Sequence, residues 1–326
     1  MVERSSGSQD HNVGRRVLAA IGRQEWLDRP SYRFEHLLSY GFNALGRARD
    51  GVANFLNGVW LGHPVHPPLT ALSTGALGTT VALDALSLSS RRPAAQIADA
   101  SRYARRALGL GILASLGAAV TGFADWQHTH LQERRVGVVH GTLNVLATGL
   151  YLMSWWDRAR GRHLRGIATS TLGYGITVGS SYLGGALVFE SGIGIDQSGR
   201  RLHTADWTPA LPVASLKDGK PQRVEVDGVG LVVCRTGDDG QVAAFGELCP
   251  HLAAPMSDGW VDRGRIVCPW HGSRFDVETG EVLRGPSAVP LPRYEVRINN
   301  GMIEVRGDGR QAGGAARARE GQGSAT

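Results

Sequence analysis

The chain of 326 residues is long enough for two domains and carries a formal net charge of +6. It has no Lys/Arg block interleaved with aromatic residues, so we expect no nucleic-acid partner. Three cysteines are too few for a disulfide framework, which excludes the small disulfide-rich folds.

The first sixty residues, 1–60, combine a polar tail with amphipathic helices. From Arg15 to Leu61 apolar residues recur at helical spacing, which predicts short helices that pack on a domain or lie in a membrane interface. Pro30 followed by Ser31 predicts a break and a helix N-cap. Met1–Gly14 has no apolar core, and Arg15-Arg16 precedes only a short apolar stretch, so we expect neither a cleaved signal peptide nor a twin-arginine signal.

Residues 61–190 contain four apolar segments, each close to the ~20 residues that span a ~30 Å hydrocarbon layer as a helix. Asp84 and His140 are the only acidic, basic or histidine side chains inside them. A soluble helical bundle would need charged helix faces, which are missing here. We therefore predict an all-α bundle of four transmembrane helices in a lipid bilayer, as a multi-pass protein of the cell membrane. The segments are Leu69–Leu88, Ala107–Ala124, Val136–Trp156 and Gly166–Phe189.

After a polar linker over 191–209, the pattern changes to short runs of alternating apolar residues separated by turn dipeptides such as Asp227-Gly228 and Asn300-Gly301. This pattern predicts a small antiparallel all-β domain over 210–306. The Gly-, Arg- and Ala-rich end, 307–326, is predicted to be a disordered tail. The predicted strands are Arg223–Val226, Leu231–Arg235, Val242–Phe245, Arg265–Cys268, Tyr294–Ile298 and Met302–Val305.

Two short motifs in the β domain carry metal-ligand chemistry. Cys249-Pro250-His251 and Cys268-Pro269-Trp270-His271 together read C-x-H-x16-C-x2-H. Thiolates and imidazoles suit iron or zinc. A structural zinc site is the alternative, although zinc modules usually carry paired cysteines two to four residues apart.

The stretch from Leu248 to Tyr294, with "CPHLAAPMSDGWV" and "CPWHGSRFDVETGEVLRGPSAVPLPRYEV", resembles the Rieske family. The resemblance implies a [2Fe–2S] cluster with two thiolates on one iron and two imidazoles on the other. It transfers the ligand roles to four residues, which are Cys249, His251, Cys268 and His271.

Departures from the respiratory Rieske pattern resemble ferredoxin and oxygenase-type domains instead. Ala254 and Trp270 stand nearest to the places of the disulfide cysteines, so no disulfide is expected between the loops. Ser273 supplies a hydroxyl that tunes the cluster, whereas Phe275 stands at the tyrosine position. With one hydroxyl fewer, we expect a potential in the lower part of the Rieske span of about −150 to +300 mV.

The segments "GHPVHPPLTAL", "GFADW" and "VVHGTL" resemble a family of uncharacterised bacterial four-helix membrane proteins. With four spans, one group of ionisable residues falls on one membrane face, and such groups at membrane depth usually serve a function. We hypothesise that they bind haem b, another metal or a quinol; ordinary solvation at helix ends is the alternative. The group is His63, His66, Asp125, His128 and His140.

The arginine-rich loops after the first and third spans would lie in the cytoplasm by the positive-inside rule, with the cluster outside. The missing export signal argues for the opposite side, so the side of the cluster stays unassigned.

The predicted function is one-electron transfer by a membrane-anchored Rieske protein, with a quinol, a haem or a redox protein as partner. An electron-supplying component of an oxygenase system and a non-redox scaffold with a sensing cluster are the alternatives. We expect a component of an oxidoreductase rather than a complete oxygenase, because only some fifty residues follow His271 and leave no room for a second iron domain.

Overall fold

The computed structural model describes residues 13–88, 93–203, 205–236 and 241–307. They form two compact units. The helical unit holds the described residues up to Val52 together with Pro64–Ile193, and the β unit holds Ala53–His63 together with the described residues from Gly194 onward. Nearly all of the predicted tail at 307–326 lies outside the described residues.

The helical unit confirms the predicted four-helix architecture. Four helices are long and apolar enough to cross a membrane. Three shorter helices precede them, as the helical spacing of apolar residues predicted. The helices are α1 (Val13–Gly22), α2 (Asp28–Ala44), α3 (Arg49–Asn57), α4 (His66–Ser87), α5 (Ala94–Trp126), α6 (Leu131–Ala159) and α7 (His163–Phe189).

The long helices pack as two hairpins, α4 on α5 and α6 on α7. Small residues let the helices approach closely: a Cβ added at Gly111 would lie 2.7 Å from Leu77, and one at Gly173 would lie 2.9 Å from Tyr151. Leu77 and Tyr151 belong to one buried apolar cluster with Leu108. Close packing of this kind drives association of helices in lipid, where the hydrophobic effect between helices is absent.

One buried ion pair joins the two hairpins. The Arg158 guanidinium donates to both carboxylate oxygens of Asp84, at 2.7 and 2.5 Å. Both side chains are only 2% exposed. Ser154 and Ser170 accept from the same guanidinium at 3.2 and 3.0 Å. Asp84, which was predicted inside the first span, and Arg158, which follows the third predicted span, therefore neutralise each other inside the bundle.

Arg134 and Arg135, at the start of α6, bind the first two short helices. Arg134 is fully buried; it donates to the backbone carbonyl of Thr129 at 2.9 Å and to the hydroxyl of Ser31 at 3.1 Å. Arg135 forms a two-bond ion pair with Asp28 at 2.8 and 2.6 Å. These bonds hold α2 against α6 within the helical unit.

The structure corrects the predicted N-cap at Ser31. The helix begins earlier, at Asp28, so Pro30 and Ser31 lie in its first turn. Proline is tolerated there because its missing N–H has no partner to lose. The Ser31 hydroxyl donates to the carbonyl of Asp28 at 2.8 Å instead of capping a helix.

The β unit consists of a six-stranded sheet in the order β1-β10-β9-β4-β3-β2 and a four-stranded sheet in the order β5-β6-β7-β8. Its pairings are antiparallel, as predicted. All six predicted strands are present, and four others, β1, β5, β7 and β8, are additional. The strands are β1 (Thr208–Pro212), β2 (Gln222–Val226), β3 (Val229–Arg235), β4 (Val242–Gly246), β5 (Trp260–Asp262), β6 (Arg265–Val267), β7 (Arg274–Asp276), β8 (Val282–Arg284), β9 (Arg293–Asn299) and β10 (Met302–Arg306).

The predicted turn dipeptides close two of these hairpins. Asp227 and Gly228 have φ values of +50° and +72° between β2 and β3, and Asn300 and Gly301 have +49° and +77° between β9 and β10. Two consecutive residues with positive φ fit the tight turns that match the twist of paired strands.

A segment distant in sequence completes the β unit. Asn54, from the end of α3, donates to the carbonyl of Leu283 at 3.1 Å and accepts from the N–H of Gly285 at 2.9 Å. A Cβ on Gly285 would lie 3.1 Å from the Asn57 amide. The absence of a side chain at Gly285 therefore provides space for α3. The reason for glycine differs at Gly272 and Gly280 of the same region, where φ is positive, whereas φ at Gly285 is not.

Candidate metal centre

The first ligand loop follows β4 and carries Cys249 and His251. Two backbone bonds close it: the N–H of Cys249 donates to the carbonyl of Ala254, and the N–H of Ala253 donates to the carbonyl of Cys249, both at 2.9 Å. Ala253 has a positive φ of +56°, uncommon for a residue other than glycine. The loop therefore turns back tightly around the cysteine.

The second ligand loop, between β6 and β7, repeats this geometry. The N–H of Cys268 donates to the carbonyl of Ser273 at 2.9 Å, and the N–H of Gly272 donates to the carbonyl of Cys268 at 3.2 Å. Gly272 has a φ of +70°, at the position that corresponds to Ala253. Each loop thus presents one cysteine and one histidine from the same kind of turn.

The two loops bring like ligands together. Cys249 and Cys268 are each 1% exposed, and their thiols hydrogen-bond to each other. The imidazole rings of His251 and His271 lie side by side with centroids 5.1 Å apart and planes at 90°. The sulfur donors are buried, whereas both histidines are partly exposed.

Backbone N–H groups stabilise negative charge on the sulfur atoms. The shared hydrogen bond with Cys249, followed by the N–H groups of Trp270 and His271, lowers the pKa of Cys268 to about 7. The same thiol pair raises the pKa of Cys249. Burial, and then the charge of His271, lowers the pKa of His251 to about 3, so its ring is neutral at physiological pH. A thiolate and a neutral imidazole are the forms that bind metals.

Ser273, the predicted tuning residue, is fully buried beside Cys268. Its hydroxyl oxygen accepts from the N–H of Ser287 at 3.0 Å, which leaves its own proton to donate elsewhere. Phe275 is also fully buried and packs in the apolar cluster that contains both ligand cysteines. It adds no second hydroxyl.

These residues fit a dinuclear cluster better than a single ion. Two sulfur donors form one pair and two nitrogen donors form another, which matches one pair of protein ligands for each of two irons. Among the residues that the structure describes, no three His, Cys, Asp or Glu side chains converge to hold one metal ion. A structural zinc ion would require four ligands around one point.

The third cysteine, Cys234, is fully buried in β3. Burial raises the pKa of its thiol to about 12, so it is a neutral thiol. All three cysteines are free, and no disulfide joins the ligand loops.

The candidate residues at the membrane face are only partly brought together. His66 and His140 lie near enough for their charges to interact. Asp125 is in the last turn of α5 and His128 follows that helix, whereas His63 belongs to the β unit. The predicted group of five does not form a single metal site within the described ranges.

Two family profiles match this chain in separate regions. The Rieske [2Fe–2S] domain matches residues 206–295, and a family described as a predicted membrane protein (DUF2231) matches residues 62–197. The chain joins a Rieske domain to a predicted membrane domain. The Rieske assignment implies a [2Fe–2S] cluster.

Several known proteins resemble the Rieske region of this chain. The ferredoxin component of the naphthalene 1,2-dioxygenase system of Pseudomonas putida is 35% identical over 97 residues, which are 30% of this chain and 91% of that protein. Apoptosis-inducing factor 3 of Mus musculus is 36% identical over 94 residues, and the chain spans only 15% of its length. Among solved structures, a chain in a complex of oxygenase and ferredoxin of carbazole 1,9a-dioxygenase is 34% identical to this protein. The match covers 31% of this chain and 94% of that chain, with a TM-score of 0.29.

Sequence reasoning missed two residues of the β unit, Ala253 and Asn54. Ala253 has a backbone conformation that usually favours glycine, asparagine or aspartate, so its residue type gave no signal. Asn54 contacts the loop at Gly285 from 231 positions away, and no local pattern indicates such a contact.

Proposed function

We propose that this protein is a membrane-anchored carrier of single electrons, with a [2Fe–2S] cluster held by Cys249, His251, Cys268 and His271. The observation that carries the proposal is the arrangement of ligands: a buried pair of sulfur atoms and an adjacent pair of imidazoles, presented by two loops of the same geometry. When bound, the cluster supplies a one-electron redox couple.

The chain's own groups favour the exchange of an electron at the histidine end. The sulfur end is buried in the apolar cluster around Phe275. The histidine end lies at the surface, where Trp270 is 57% exposed and its ring centroid is 6.3 Å from that of His271. An exposed tryptophan is a frequent anchor of protein interfaces. We therefore propose that a redox partner protein docks at this end.

The membrane helices suggest an electron donor in the bilayer. Four spans of sufficient length and the match to a predicted membrane family support a multi-pass protein of the cell membrane. We propose a quinol or a haem as the donor, because both carry electrons within membranes.

A role as electron supplier to an oxygenase is the second candidate. It is favoured by the similarity to ferredoxin components of dioxygenase systems. In that case the acceptor would be an oxygenase protein, since the described residues contain no group of three ligands for a mononuclear iron.

The test is to purify the full chain in detergent without oxygen and to measure acid-labile sulfide and the EPR spectrum after reduction. We expect two sulfides per chain and a Rieske signal. Cys268→Ala should abolish both, whereas Cys234→Ala, which removes the buried cysteine outside the motif, should retain them. Wild-type protein without sulfide, or a signal that survives Cys268→Ala, would refute the proposal.

A further inference from the structure

The four membrane helices contain an internal repeat. The pattern H-x2-L-x2-L-x-T-G occurs in α4 from His66 to Gly75 and again in α6 from His140 to Gly149, 74 residues later. The second helix of each hairpin carries the pattern G-x5-G-x4-G, from Gly111 in α5 and from Gly173 in α7. Each hairpin is therefore one copy of the same two-helix unit.

Contacts inside the hairpins repeat in the same way. Thr80 donates to the carbonyl of Ala104 at 3.4 Å in the first, and Ser154 donates to the carbonyl of Gly166 at 2.6 Å in the second. Leu77 over Gly111 corresponds to Tyr151 over Gly173. Asp84 and Arg158 occupy equivalent positions and bind each other. The two hairpins are thus related by an approximate twofold axis along the bundle.

His66 and His140 are the equivalent histidines of this repeat. Nδ1 of His66 lies 2.8 Å from the carbonyl of Ala118, and Nδ1 of His140 lies 2.8 Å from the carbonyl of Ser180. A carbonyl only accepts, so both Nδ1 atoms carry the proton and both Nε2 atoms present a lone pair. Histidines that bind metals usually donate their other N–H to a carbonyl in this way.

Glycines make room for both rings. A Cβ added at Gly122 or at the equivalent Gly184 would lie 2.8 Å from Cε1 of the histidine that packs there. The amide of Asn144 lies 3.2 Å from Nε2 of His140, but it also reaches the hydroxyl of Ser180 at 3.0 Å and can bond there instead.

The number of donors indicates the kind of metal. Two equivalent imidazoles come from α4 and α6, which pack on α5 and α7 and lie diagonally in the bundle. No third His, Cys, Asp or Glu joins them within the part of the chain that the structure describes. A bare zinc ion would need more protein ligands. A haem needs only two, because the porphyrin supplies four nitrogens, and bundle cores accept cofactors between facing helices.

We propose that His66 and His140 are the two axial ligands of one haem inside the helical bundle. The site extends the proposed function, in which a haem is one of two possible donors. Its test stands apart from the cluster, because haem absorbance is read independently of the cluster's EPR signal.

The experiment uses the full chain, expressed with 5-aminolaevulinate and purified in detergent. Haem is quantified as its pyridine complex, and the reduced spectrum is recorded. We expect one haem per chain with a low-spin spectrum. His66→Ala and His140→Ala should each reduce haem content to less than about a tenth, since loss of even an outer-shell partner costs about 10–100-fold in metal affinity.

His163→Ala is the matched control, because His163 is exposed at the start of α7 and should retain full haem content. A normal Rieske EPR signal in each variant shows that the chain has folded. External imidazole should restore the low-spin spectrum of His66→Gly, which a purely structural role would not allow. Wild-type protein that neither contains haem nor binds added haemin, or haem content unchanged in both alanine variants, would overturn the proposal while the cluster signal persists.

Discussion

Asp84→Asn removes the charge that neutralises Arg158 inside the helical bundle. The pair is 2% exposed on both sides and makes two direct bonds, so the substitution leaves an arginine without a counter-charge where water is scarce. Breaking one partner of a buried pair costs about 3–5 kcal/mol. We expect a loss of that size in the free energy of unfolding.

The internal repeat provides a stringent companion variant. Because the two positions are equivalent, Asp84→Arg combined with Arg158→Asp places the same charges across the same axis. Thr80 offers a hydroxyl at the position equivalent to Ser154, but Leu108 stands at the position equivalent to Ser170. The exchange therefore gives up the bond between Arg158 and Ser170, which is worth about 0.5–1.5 kcal/mol. The double variant should therefore recover to within about 1.5 kcal/mol of the wild type.

Both variants are measured by the loss of helical circular dichroism as SDS is added to detergent micelles. Asp99→Asn is the matched control: its partner is Arg102, both side chains are more than half exposed, and such pairs contribute about 0–1 kcal/mol. A cost below about 1 kcal/mol for Asp84→Asn, or an exchange no better than the single variant, would refute the reasoning.

Three further predictions concern the Rieske domain. Ser273→Ala should lower the reduction potential by tens of millivolts in a redox titration, because a hydrogen bond from the hydroxyl stabilises the extra electron on the cluster. For one electron, about 59 mV corresponds to a tenfold change in the equilibrium constant. An unchanged potential would contradict this role of Ser273. Gly280→Ala should lower the free energy of urea unfolding more than Gly264→Ala. Both glycines have a positive φ, which costs an alanine about 1–2 kcal/mol, but only a Cβ at Gly280 would meet a neighbour, the carbonyl of Leu291 at 2.4 Å. Equal losses for the two variants would be inconsistent with that clash. The hydrogen bond with Arg297 lowers the pKa of Glu304, so the ionised Glu304 stabilises the fold. This contribution is fully present above the ordinary pKa of 4.5 and is lost as the pH falls through the lowered pKa. Glu304→Gln should therefore make the free energy of unfolding depend less on pH in acid, and an unchanged dependence would argue against the pair.

The sequence was sufficient for features with a strong local pattern. The spacing of Cys249, His251, Cys268 and His271 predicted two loops with one cysteine and one histidine each, and the structure places these four residues on two similar loops. The long apolar runs predicted four spans because a bilayer requires about 20 apolar residues for each. Six of the ten strands were predictable because alternation and turn dipeptides mark their interiors and their ends; the three-residue β6 was among them, as part of the apolar run Arg265–Cys268.

Short strands and distant contacts were not predictable. Strands β5, β7 and β8 have three residues each, too few to show alternation, and β1 contains Pro209 and Pro212, which usually argue against a strand. The contact of Asn54 with the loop at Gly285 depends on the assembled fold alone.

The arginines used to infer membrane orientation differ in burial. By sequence, Arg158 follows the third predicted span and belongs to an arginine-rich loop, whereas Arg134 precedes that span and belongs to the loop on the opposite side. The structure buries Arg158 against Asp84 and Arg134 beside Ser31, so neither is available to the solvent. Charges neutralised within the fold should be removed from such counts, since the positive-inside rule concerns loop residues near the ends of the spans.

The β unit is built from two segments that are distant in sequence, and this affects how a fragment of the protein should be designed. A fragment that starts at Gly194 would carry all four proposed cluster ligands and all ten strands, yet it would lack Ala53–His63. The backbone groups of Leu283 and Gly285 would then face water where Asn54 now binds both. A fragment designed for crystallisation or NMR should therefore include residues 53–63, joined to the β domain by a short linker, so that the helical segment around Asn54 still binds the loop at Gly285.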